Sequence, residues 1–207
     1  MYDVALEILF TLITAFVSFF AFYIYKKTSQ RYVFYFSLAF ACISISYFLQ
    51  TILNILILIQ LNNLENLLQV LAVDFLNSFG LLVHALLFTM GLVFLLFITF
   101  KETRSRLLWL LTILSLSVIF VSGHTLYTFY LVASILLFFI TWHYASNYIK
   151  YKHKNQLLVT LAFAFLFFGH VHFLISVDHH FFYVIGHVLE LISYVLIVWN
   201  FLLVFRR

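Results

Sequence analysis

The sequence predicts an all-α integral membrane protein of seven transmembrane helices in a single domain, residues 1–207, N-terminus outside and C-terminus in the cytoplasm. Three observations predict it. First, 66% of the residues are hydrophobic and only 9% charged, whereas soluble domains run near 25% charged. Second, apolar runs of about 20 residues, the length that crosses a bilayer at about 1.5 Å per residue, recur seven times. Third, the eleven Lys and Arg residues fall in alternate connections only, the pattern by which cytoplasmic loops set orientation. With 28 Phe, 13 Tyr and 3 Trp the chain is too apolar for a disordered polypeptide. The one cysteine, Cys42, excludes an intrachain disulfide and a thiolate cluster.

The first span, at about 4–25, is not a secretory signal: Asp3 and Glu7 stand where a basic n-region belongs, and Lys26 and Lys27 follow the apolar run. Arg31 opens the second span, at about 32–53. Residues 54–78 place Leu61, Leu64, Leu67, Leu68, Leu71 and Phe75 near a helical period against Asn62, Asn63, Glu65, Asn66 and Gln69. An amphipathic outer helix at about 58–77 is expected there, lying in the headgroup layer or covering an outer cavity, and continuous with the third span. That span, at about 79–100, ends on Lys101; the fourth, at about 107–122, follows Arg104 and Arg106. The fifth, at about 126–149, leads into Lys150, Lys152 and Lys154, which open the sixth at about 156–177; the seventh, at about 182–205, ends on Arg206 and Arg207. The net charge of +4 is therefore a topology signal and not a nucleic-acid footprint. Proline is absent and glycines number five, so a rigid bundle is expected in place of a carrier with broken helices.

Titratable groups within a bilayer cost several kcal/mol and mark functional sites by default. Counted from the last inner charge of each helix, His84, His170, His172, His187 and His124 lie about 16 to 19 residues deep, as do Glu190 and Glu7. Several helices thus deliver such groups to one slab, roughly 24 to 28 Å from the inner charges. His170 and His172 are about 200° apart around their helix, so one faces the bundle and the other lipid or a neighbour. His187 and Glu190 share a face, with Tyr194 a turn further in. Gly123, Gly169 and Gly186 each precede a histidine of the slab, where a missing side chain admits a planar group or a neighbouring backbone. His153 and the pair His179 and His180 read as solvated, and His143 as part of an interfacial aromatic belt.

Such a layer suits haem b, which needs two neutral imidazoles on facing helices in an aromatic pocket. The preferred ligands are His84, His170 and His187, with His172 and His124 as substitutes, for electron transfer or sensing. Cu or Zn is the alternative, held by His84, His170 and His187 with Glu190 as ligand or second partner. The second reading is a cofactor-free sensor or scaffold whose histidines titrate near neutrality. A metal-dependent hydrolase with Glu190 or Glu7 as base comes third; seven-helix hydrolases of the alkaline ceramidase and adiponectin receptor type also use an aspartate, and none falls within the seven expected spans.

The last span, IGHVLELISYVLIVWNFLLVFRR, with YFSLAFACISISYFLQ in the second, resembles the seven-helix membrane modules that precede signalling domains in prokaryotic sensor proteins. The resemblance implies an external N-terminus and a cytoplasmic effector after helix seven. Because the chain stops at Arg207 without an output domain, signalling is expected through a separate partner. The partners expected are the lipid bilayer, a cytoplasmic or membrane signalling or redox protein and a second copy of the chain, with no nucleic acid.

Overall fold

In a bilayer every backbone N–H and C=O must be satisfied within its own segment, and this proline-free chain meets the demand with helices. The computed structural model describes residues 2–61, 67–100, 105–176 and 180–205. They form α1 (Tyr2–Thr28), α2 (Arg31–Leu61), α3 (Leu67–Thr99), α4 (Ser105–Val121), α5 (Thr125–Tyr151), α6 (Lys154–Ser176) and α7 (His180–Phe205). Six are long and apolar enough to cross a membrane. The exception is α4, whose 17 residues extend about 25 Å.

The amphipathic segment is divided between two long helices. Residues 54–61 complete α2 and residues 67–78 open α3, while residues 62–66 lie outside the described residues. With no proline or glycine between Leu67 and Phe79 to stop it, the helix runs unbroken into the apolar span Val73–Thr99. Asp74 lies exposed on this helix, ahead of the span expected at about 79–100. Without a glycine at either position, the chain leaves α1 through Ser29 and α5 through Lys152, both at φ 54°. The Ser29 amide donates to Tyr25 O at 2.7 Å and the Lys152 amide to Tyr148 O at 2.8 Å, satisfying carbonyls at the helix ends.

Six helices close a ring in the order α1, α2, α3, α5, α6, α7, and α4 packs outside it in the groove between α3 and α5. The short helix turns Leu108, Thr112, Ser115 and Ile119 inward, spaced at one face of a helix, and leaves Trp109, Ile113 and Leu114 exposed. Across α1 and α2, Ser18 Oγ donates to Ser37 O at 2.9 Å and Ser37 Oγ to Ser18 O at 2.8 Å; Ser44 Oγ donates to Thr11 O at 3.0 Å. Helices in lipid gain little from hydrophobic attraction, so such hydrogen bonds and close backbone contact supply the adhesion.

Close contact is seen between α2 and α3, where a Cβ on Gly91 would lie 2.8 Å from Ala39 O, and again between α6 and α7. A Cβ on Gly169 would lie 3.1 Å from Gly186 O, and one on Gly186 would lie 2.5 Å from the Phe173 ring. The two glycine-histidine steps therefore admit a neighbouring backbone and a protein aromatic ring. Gly123 meets nothing within 4 Å and has no such role.

Two interior layers follow from this ring. Phe10, Tyr47, His84, Phe129, His170 and Glu190, one from each ring helix, lie at one level, as their mutual contacts show. Seven or eight residues along each helix from these, about 11 Å, come Val17, Phe40, Leu92, Leu137, Phe163 and Ile197, all buried in one continuous apolar cluster.

Candidate functional site: a buried tyrosine, glutamate and histidine cluster

Three elements build the centre of the first layer. From α7, Glu190 projects inward with 2% of its surface exposed, and His187 lies one turn away with Nδ1 3.5 Å from Glu190 Oε2. From α2, on the other side of the ring, the Tyr47 hydroxyl donates to Glu190 Oε1. Its oxygen is also 3.1 Å from that of Tyr194, one turn along α7 from Glu190 and fully buried. The backbones of α2 and α7 do not pack against each other; these side chains span the gap. A buried carboxyl is tolerable only when paired and hydrogen-bonded; here Oε1 accepts from Tyr47 and Oε2 has the His187 ring at ion-pair distance.

His187 sits in an aromatic box. The Tyr183 ring is 4.5 Å away at 90°, Phe173 is 4.8 Å away at 65°, and Phe10 stacks at 6.2 Å. Neither ring nitrogen makes a well-formed hydrogen bond among the described residues.

On the opposite side of the layer, Ser46 Oγ lies 2.8 Å from His84 Nδ1. His170, 2% exposed, donates from Nδ1 to Leu166 O at 3.0 Å, since a carbonyl only accepts. Phe88 packs against both histidines, its ring 5.7 Å from His84 and 5.1 Å from His170, tilted 28° and 27° from the two imidazole planes.

Of the residues the sequence places in one slab, His84, His170, His187 and Glu190 do meet in the bundle interior. His170 is the inward member of its pair: His172, half-buried, donates from Nδ1 to Phe168 O at 2.7 Å on the outer face of α6 and packs on Phe182. His124 is exposed at the N-cap of α5, where its amide donates to Ser122 Oγ at 3.1 Å. Neither belongs to the cluster. Glu7 joins a neighbouring set, accepting from Asn54 Nδ2 at 2.8 Å. His153 is exposed in the α5–α6 turn, and His143 lies beside Tyr144; residues 177–179 are outside the described residues.

Tyr47 and Phe88 carry as much of the cluster as the histidines, yet each is one of many aromatics. The signal that points to Tyr47 is a polar stripe on α2, where Tyr47, Gln50 and Asn54 follow at helical spacing through an otherwise apolar span. Nothing comparable marks Phe88.

A porphyrin bridging His84 and His170 would have to displace Phe88, which packs against both rings. Among the described residues no three His, Cys, Asp or Glu side chains converge closely enough to hold a metal ion. No protein-family model matches the chain, nor does any curated protein or solved structure. Fold and site together define a multi-pass helical membrane protein with a buried cluster of tyrosine, glutamate and histidine side chains at its centre.

Proposed function

We propose that the protein is a cofactor-free, proton-responsive membrane module that acts through a protein partner, with its N-terminus outside and its C-terminus in the cytoplasm. The single observation that carries this reading is Glu190. Its carboxyl is buried at the centre of the ring, held by a hydroxyl from α2 and an imidazole from its own helix. The groups facing it are Tyr47 from α2, His84 from α3, Tyr130 from α5, His170 from α6, and His187 and Tyr194 from α7; from α1 comes the apolar ring of Phe10, against both Tyr47 and Tyr194.

With one proton between Glu190 and His187 the pair is net neutral, whether as acid and imidazole or as carboxylate and imidazolium. Loss of that proton leaves a buried anion, which costs several kcal/mol unless the surrounding donors or helices rearrange. Tyr47 ties α2 to α7 through this carboxyl, so one proton biases the contact between two helices. Orientation rests on the loop charges: Lys26, Lys27 and Arg31, then Lys101, Arg104 and Arg106, then Lys150, Lys152 and Lys154, and finally Arg206 and Arg207 fall on one side. A partner on that side agrees with the likeness to sensor modules.

Infrared difference spectra of the purified full chain, taken between about pH 5 and about pH 8, test the reading. A carboxylic C=O band that is lost in Glu190→Gln, with tyrosine bands that are lost in Tyr47→Phe, is the expected result. A spectrum indifferent to both substitutions overturns it. An absorption spectrum with a Soret band removed by His84→Ala would instead establish haem and require Phe88 to leave its place.

A further inference from the structure

The surroundings of Glu190 differ along the bundle axis. Toward the end where α1 begins, polar side chains lead away from the cluster along α2. Asn54 donates from Nδ2 to Glu7 Oε1 at 2.8 Å, and Gln50 Nε2 lies 3.4 Å from Asn54 Oδ1. Gln50 Oε1 is buried and has no partner among the described residues. It lies against Gly80, where an added Cβ would come within 3.6 Å of it. Gly80 is one turn from His84 on α3, and Gln50 is one turn from Ser46 and Tyr47 on α2. A buried acceptor left unsatisfied one turn from Ser46 and Tyr47 is suited to take a hydrogen bond from a water molecule, the link by which Glu7, Asn54 and Gln50 would reach the cluster.

In the other direction the interior closes. Val17, Phe40, Leu92, Leu137, Phe163 and Ile197 bring one apolar side chain from every ring helix, none more than 6% exposed. Protons move along hydrogen-bonded groups and water, and a dry hydrocarbon layer about 11 Å from the cluster holds neither.

We infer that Glu7, Asn54 and Gln50 form a one-sided proton port for Glu190, and that the apolar layer prevents conduction across the bundle. The inference rests on the proton-responsive reading above and adds its direction. A hydronium at the Glu7 end gives up one proton and becomes water; the proton resides on the Glu190 and His187 pair and leaves by the same path. No charge crosses the membrane in a cycle.

The test uses the full chain in vesicles, with orientation established by protease accessibility of the termini and the cluster followed by its infrared bands after a pH jump in impermeant buffer. A jump on the Glu7 side is expected to change the bands at once, and a jump on the opposite side to leave them unchanged while the bilayer holds the gradient. Vesicles loaded with a pH dye, with potassium and valinomycin balancing charge, should acidify no faster than empty ones. Asn54→Leu should slow the Glu7-side response by about tenfold without changing its amplitude, with Asn54→Gln recovering most of the rate. Leu137→Asn should admit a response from the sealed side. Equal responses from both sides, or dye acidification by the native chain, overturn the one-sided port while leaving the proton-responsive reading intact. Absence of any pH-dependent band in detergent, where both ends are open to buffer, overturns that reading itself.

Discussion

Two layers of the same six helices differ in almost every respect that matters for function. The first takes Tyr47, His84, His170 and Glu190 from α2, α3, α6 and α7 and fills the remaining places with Phe10 and Phe129. The second, about two turns away, takes aliphatic or phenyl side chains from all six. Each helix thus contributes to both layers, so role is set by depth in the bundle and not by which helix a residue belongs to. The apolar layer binds helices by close packing. The polar layer binds them by hydrogen bonds whose strength depends on where protons reside, which is the property the proposed function uses.

That contrast orders the expected effects of substitution. Phe163→Ala, in the second layer, should cost the most, about 3 to 5 kcal/mol for a fully packed phenyl ring, measured by reversible unfolding in mixed micelles. The infrared response to pH should survive wherever the variant remains folded, which separates packing from titration. Glu190→Ala should cost about 2 to 4 kcal/mol, because it strands the hydroxyls of Tyr47 and Tyr194 and the His187 ring without their carboxyl, and it should abolish the response. Tyr47→Phe should cost about 1 to 3 kcal/mol, since the carboxylate loses its one donor from α2; a variant as stable as the native chain would show that the two helices are not joined through this bond.

Smaller changes sharpen the comparison within the first layer. Ser46→Ala removes the partner of His84 Nδ1 and is expected to cost about 1 kcal/mol and to move the histidine ring bands, leaving the Glu190 carboxyl band in place. His172→Ala and His124→Ala should fall within about 0.5 kcal/mol of the native chain with an unaltered response, as both lie outside the cluster. Loss of the response in either would mean that the functional slab extends to the outer faces of α5 and α6.

These differences mark what was legible in the chain. Depth was: counting residues from the inner charges places His84, His170, His187 and Glu190 at one level, and they do meet. The same count places His124 and His172 there, and their depth carries no information about which way they face. Glu7, also at that depth, pairs with Asn54 of α2. The glycine-histidine steps were legible as places of close approach, and two of the three are so used, the approaching groups being the backbone of Gly186 and the ring of Phe173.

Legible along the chain are a helical polypeptide suited to a bilayer, its helices and the height of each titratable group along them. These follow from composition and from a rise of about 1.5 Å per residue, which adds along a helix and can be counted. Packing between helices settles that α4 lies outside a ring of six, that His170 and not His172 turns inward, that Tyr47 reaches across to Glu190, and that Phe88 packs against two histidines. Direction around a helix advances about 100° with each residue, so a small rotation of one helix against its neighbours exchanges an inward residue for an outward one. That rotation is set by contacts such as Gly169 on Gly186, made between segments whose meeting no single helix encodes.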